Sequence, residues 1–150
     1  MFGLMNVVRR PLGGVVGDIA YNYTNSAWSK KILLHTYGIG TGAMLLVVGL
    51  VSPKSVSAMV PLDAVGLAFF LAGANGLTFS LVPHMRPQAN GVVSGFTGAC
   101  GNLGGIVFAM IFKYGSSYGT SIWMVGAIVI GINVALSWIK PVPSGQVGGR

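Results

Sequence analysis

The sequence predicts an all-α membrane protein, and three observations predict it. Of its 150 residues 53% are hydrophobic and only 7% are charged, against about a quarter charged in an ordinary soluble domain. Four apolar stretches are each long enough to cross a bilayer's hydrocarbon core, which takes roughly 20 helical residues. Glycine occurs 24 times, about twice its usual share, and glycine inside apolar runs lets membrane helices approach closely. Backbone groups in lipid must pair within their own segment, so the apolar stretches are expected to be helices.

The elements follow in order. Met1 to Val8 is apolar and runs into Arg9-Arg10-Pro11. It lacks a basic leader and a small-residue cleavage site, so it reads as the end of a helix and not as a signal peptide. Tyr21 to Lys31 reads as a polar loop. The four full spans are expected at about 32–52, 60–82, 91–112 and 121–139. His35 lies in the first, Asp63 at the entrance of the second, and no charge in the other two. Trp123 and Trp138 bracket the fourth span. Their separation, about 22 Å along a helix, suits two interfacial anchors. The tail 141–150, with Pro141, Pro143 and a Gly-rich end, has no periodicity and is expected to be disordered. Residues 1–140 form one unit.

Charge sets an orientation. Four crossings place Arg9, Arg10, Lys30, Lys31, Arg86, Lys140 and Arg150 on one side and Lys54 and Lys113 on the other. By the positive-inside rule the first side, with the C-terminus, is cytoplasmic. The formal net charge of +7 is scattered singly and in pairs, with no basic stripe or tail, which argues against nucleic acid as a partner. The single cysteine, Cys100, can form no internal disulfide. No Cys/His cluster suggests a metal, no cofactor motif appears, and no catalytic constellation is present.

The third span carries the strongest pattern. At 100° per residue, Gly91, Gly95, Gly98, Asn102, Gly105 and Ala109 fall within about 40° of one line, with Ser94 beside it. This is a smooth groove with one amide in its middle. The residues alone fit close helix packing with Asn102 hydrogen-bonded to a neighbour. They fit as well a helix lining a narrow pathway, where the amide offers both a donor and an acceptor. On the second span Gly66, Phe69, Gly73, Gly76 and Ser80 share one side, and Asn75 and Thr78 lie on the other. Asn75 and Thr78 suit either anion contact or an interhelical hydrogen bond. Asp18 suits a cap or staple of the cytoplasmic loop better than a proton relay, His35 a structural role better than a titrating one, and Asn133 an interhelical hydrogen bond.

The string Ser94-Gly-Phe-Thr-Gly-Ala-Cys-Gly-Asn-Leu-Gly-Gly105 resembles the second nitrate signature of the nitrate/nitrite porter family, a branch of the major facilitator superfamily. In that family the signature lies on helix eleven of twelve. The stretch Asn6 to Asp18, with Arg10 before Pro11, then Gly13, Gly14 and Asp18, is similar to the family's end of helix eight and the cytoplasmic loop after it. One departure is visible: Ile19-Ala20-Tyr21 stands where basic residues usually follow the Asp, and the basic pair is delayed to Lys30-Lys31.

The resemblance implies a partial major facilitator fold, with the end of helix eight and helices nine to twelve. It implies transport of nitrate, and nitrite with it, by alternating access between two halves. Arg10 would contact the anion together with an Arg of helix two. Asn102, Asn75 and Thr78 are the further candidates for the substrate site. Gly95, Gly98, Gly101, Gly104 and Gly105 would form the packing signature. The N-terminal helices that would complete the transporter are absent from this sequence, so the chain is expected to be inactive alone, in the lipid bilayer of the plasma membrane. A second expectation stays open: a small four-helix membrane protein that acts by association through its Gly groove, without transport.

Overall fold

The computed structural model describes residues 2–51, 62–85 and 87–139. The stretch around Lys54, Arg86 and the tail 141–150 lie outside them. The chain is an all-α membrane protein, and its described residues form five α-helices: α1 (Phe2–Thr24), α2 (Ala27–Val51), α3 (Ala68–Met85, entered through a π-helical turn at Leu62–Leu67), α4 (Asn90–Tyr114) and α5 (Tyr118–Leu136). Among the described residues four segments are long and apolar enough to cross a membrane: Ala27–Val51, Val65–Pro83, Asn90–Tyr114 and Tyr118–Leu136. Their number is the expected four, while their ends differ from the expected ones and residues 60 and 61 of the second lie outside the described residues.

The first expectation that needs correction concerns the N-terminal segment. It is not a stump followed by a loop. α1 runs unbroken for 23 residues with Pro11 inside it, so Gly13, Gly14 and Asp18 sit on a helix. Proline removes one backbone donor and crowds the carbonyl four residues before it. A packed membrane helix can tolerate that. The chain turns only at Asn25, whose φ of 49° is the left-handed conformation that Asn adopts more readily than most residues. Its N–H donates to Tyr21 O at 2.6 Å. Ser26 then caps α2: its Oγ accepts from Trp28 N–H at 3.3 Å, as N-cap serines do. The expected loop at Tyr21–Lys31 is thus a two-residue corner, and α2 begins at Ala27 and not at Ile32.

α2 is the hub of the packing. It lies against α5 and α3, and α1 lies against α3. The approaches are close because glycines face one another. A Cβ on Gly49 would stand 2.5 Å from Trp123 N, and one on Gly126 would stand 2.8 Å from Gly42 O. Contacts such as Gly42 with Gly126 and Gly49 with Trp123 make α2 and α5 antiparallel. Gly13 with Gly73 and Gly17 with Leu77 and Ser80 make α1 and α3 parallel. Successive crossings of a membrane require this alternation. The buried apolar side chains are small or few: Ala27, Val48, Ala68, Ala72, Leu77, Val82 and Val125. Lipid is as apolar as a protein core, so close van der Waals contact holds such helices together, not removal of surface from water.

α4 differs from the rest. None of its residues is buried, and its contacts with α3 and α5 are slight. It leads into α5 through a corner at Ser117, whose Oγ accepts from Thr120 N–H at 3.2 Å.

Candidate functional site

The site is built on the α1–α3 seam. Gly13 of α1 lies directly on the backbone of Gly73, and Gly76 of α3 on the carbonyl of Arg10, with no room for a Cβ at either place. This contact sets the level of the residues beside it. Arg10 projects next to the seam, and its Nη2 donates to Asn75 Oδ1 at 3.0 Å. Its guanidinium carbon stands 5.3 Å from the centroid of the Phe79 ring, within range of cation–π attraction. Asn75 and Phe79 are four residues apart on α3, so they form one ledge.

The depth of Arg10 matters. Eight residues further along α1, and six before its end at Thr24, Asp18 pairs with Lys30 Nζ at 2.7 Å. The same ammonium donates to Ser80 O at 3.0 Å. Eight helical residues span about 12 Å, so Arg10 lies roughly that far inward of the Asp18–Lys30 level. Lys30 is 2% exposed. Its role as the partner of Asp18 and as the tie between α1, α2 and α3 was not legible in the sequence, where the delayed basic pair read only as an orientation signal. Asp18 does not cap or staple a loop: it lies within α1 and ties that helix to Lys30 of α2.

Among the other candidates, Thr78 turns away from Arg10 and donates to its own helix, at Ala74 O, 2.9 Å. Asn102 is exposed on α4 and makes no side-chain hydrogen bond. Gly95, Gly98, Gly101, Gly104 and Gly105 each face open space, with nothing within 4 Å of an added Cβ. The close packing expected of that groove is not made among the described residues. Asn75 is exposed, not buried as a helix–helix amide would be. The structure therefore brings Arg10 and Asn75 together and leaves Thr78 and Asn102 apart from them. Phe79 is the residue that reading the sequence misses; its only signal is its place one turn beyond Asn75.

Chemically, the ledge presents a held cation. A guanidinium has five N–H donors in a rigid planar fork and keeps its charge when desolvated. Asn75 is the one hydrogen-bond acceptor that Arg10 has among the described residues. The chain's two acidic side chains are Asp18 and Asp63. Asp18 belongs to Lys30, and Asp63 stands in the π turn before α3, twelve residues ahead of Asn75 in the sequence. Among the described residues no carboxylate pairs with Arg10. Among the described residues no group of three or more His, Cys, Asp or Glu could hold a metal ion.

Comparison with known proteins adds the following. The chain is 57% identical over 148 residues to Elsinochrome transporter 1 of Elsinoe fawcettii, covering 98% of this chain and 29% of that protein. It is 34% identical over 143 residues to the high affinity nitrate transporter 2.5 of Arabidopsis thaliana, covering 92% of this chain and 27% of that protein. It is 31% identical over 115 residues to the nitrate/nitrite transporter NrtP of Nostoc punctiforme, covering 75% and 21%. The chain thus spans less than a third of the length of these relatives. No protein-family model matches it, and no solved structure does. The relatives and the helical architecture agree with the signature on α4: the chain belongs to the nitrate/nitrite porter family.

Proposed function

We propose that this chain is the C-terminal part of a transporter that carries nitrate, and nitrite with it, across the plasma membrane by alternating access. Its C-terminus is cytoplasmic, and it is inactive without the preceding helices. The observation that carries the reading is the Arg10 guanidinium, held at depth by Asn75 and Phe79 with no carboxylate beside it. Nitrate is planar and monovalent. A planar fork of donors matches two of its oxygens at once, which a lysine's point charge cannot do. An anion inside a membrane needs compensating charge, and Arg10 supplies it. The exposed glycine face of α4 supports the second part of the reading: a groove with no partner in this chain suits the opposite half of a two-half transporter. That the relatives are named as transporters favours this reading over a small protein acting by association alone.

The 57% identity to Elsinochrome transporter 1 supports a second reading, in which the substrate is elsinochrome. The two are separated by chimeras in which this chain replaces the matching segment of the Arabidopsis transporter or of the Elsinoe transporter. Saturable nitrate uptake by the Arabidopsis chimera, abolished by Arg10→Ala, is expected. Transport of elsinochrome alone, insensitive to Arg10→Ala, would reject nitrate as the substrate. Proteoliposomes holding only this chain should show no nitrate flux.

A further inference from the structure

The second lysine of the pair, Lys31, has no use in the site above, yet it is 6% exposed. Its Nζ donates to Ser137 O at 2.7 Å and to Ile139 O, at the end of α5. The same ammonium stands 4.9 Å from the centroid of the Trp28 ring. All these partners are neutral. Carbonyls at a helix C-terminus favour a cation, but they leave its full charge in place. The chain has only two carboxylate side chains. Asp18 is bound to Lys30, and Asp63 lies in the π turn ahead of α3. The counter-ion of Lys31 is therefore not an acidic side chain of this protein.

Beside Lys31 a cleft of about 330 Å³ opens between α2 and α5. Its walls include Ile32, Ile39 and Val134, which are 61%, 45% and 56% exposed. Its floor is polar. Asn133 Nδ2 donates to Val129 O at 2.9 Å, so Asn133 Oδ1 is the acceptor facing His35 Nδ1 at 3.2 Å. Trp28, at the rim, is of the type that sits at the headgroup level of a bilayer. The cleft thus joins an unneutralised cation and a polar floor at one end to an apolar trough along the helices.

We propose that this cleft is a binding site for an anionic phospholipid, with the phosphate beside Lys31 and Trp28 and an acyl chain along Ile32, Ile39 and Val134. Basic pockets between membrane helices recognise lipid headgroups in this way. The charge selects the headgroup, and the apolar trough favours an occupant with an acyl chain over a free anion.

The test uses the 150-residue chain in nanodiscs, with Trp123→Phe and Trp138→Phe leaving Trp28 as the single tryptophan. Quenching of Trp28 by brominated phosphatidylglycerol is compared with that by brominated phosphatidylcholine at equal mole fraction. Phosphatidylglycerol should be preferred about fivefold, which corresponds to ~1 kcal/mol for one basic residue near the surface. Lys31→Gln should abolish the preference, Lys31→Arg should restore it, and Lys113→Gln should leave it unchanged. Helical circular dichroism of each variant separates lost binding from lost folding. Equal quenching by the two lipids would overturn the proposal. So would displacement of the bound lipid by excess inorganic phosphate, or protection of Trp28 from both lipids with cross-linking to a second copy.

Discussion

Arg10 of α1 donates from Nη2 to Asn75 Oδ1 of α3 across 3.0 Å, and the two helices touch through Gly13 and Gly73 beside that bond. The bond spans 65 residues of sequence and fixes where the guanidinium points. In the Arabidopsis chimera, Asn75→Leu should therefore weaken nitrate uptake by loosening Arg10, raising the apparent KM about tenfold, or ~1.4 kcal/mol. Asn75→Asp should be worse, because a carboxylate there would neutralise Arg10 and repel the anion. Arg10→Lys should keep the charge, lose the fork and raise KM strongly, while Arg10→Ala eliminates uptake. Unchanged uptake by Asn75→Asp would remove this ledge from the substrate path.

The Asp18–Lys30 pair invites a stability measurement. Lys30 is buried, whereas the Asp18 side chain is 63% exposed. Removing the carboxylate leaves a buried ammonium short of its counter-charge, which costs more than removing both groups together. Since Asp18 is largely solvated, the loss on Asp18→Asn should be modest, about 1–2 kcal/mol. Thermal unfolding of the detergent-solubilised chain checks it. Asp18→Asn should lower Tm, and the double variant Asp18→Asn/Lys30→Met should recover part of the loss. Strict additivity of the two single changes would show that the pair is not coupled.

The helices were legible in the sequence because lipid imposes a simple rule: an apolar run of about 20 residues without charge must be a helix. α1 was misread because it breaks that rule. Arg10, Pro11, Gly13, Gly14 and Asp18 all look like interruptions when read locally. Their tolerance comes from tertiary contacts that no local pattern displays: glycines pressed on α3, and an Asp paired with a lysine on α2. The true corner, Asn25-Ser26, did carry a local signal in a left-handed Asn and a capping Ser. The site was half legible for the same reason. Arg10 stood out as a residue type beside a proline. Its pairing with Asn75 and the use of Phe79 depend on the parallel register of α1 and α3, which the glycine contacts set.

The α1–α3 seam should be the least tolerant place in the chain. A Cβ on Gly13 has no space between itself and the Gly73 backbone, and no flexible side chain stands there to yield. Gly13→Val should push the two helices apart and break the Arg10–Asn75 bond. Gly17 is a milder case, since an added Cβ would meet the side chains of Leu77 and Ser80 at 2.7 and 2.9 Å. Gly17→Ala should therefore lower Tm by less than Gly13→Ala. A larger loss at Gly17 would contradict the order in which these contacts can relax.

The glycine face of α4 should behave in the opposite way, and the contrast tests the two-half reading. Gly98 and Gly105 meet nothing within 4 Å, so Gly98→Leu and Gly105→Leu should not lower the Tm of the isolated chain. Leucine is moreover a better helix former than glycine, by up to about 1 kcal/mol. In the Arabidopsis chimera the same substitutions should eliminate nitrate uptake, because the face would there lie against the other half, where only glycine lets backbones approach. Alanine should be tolerated better than leucine at both positions. Asn102, on the same face, gives a chemical readout beside the steric one. Asn102→Asp places a carboxylate beside an anion path and should depress uptake more than Asn102→Ser, which keeps a hydrogen-bonding group. A chimera that transports nitrate normally with leucine at both glycines would mean that the face meets lipid, and the opposite half would then have to pack on other helices.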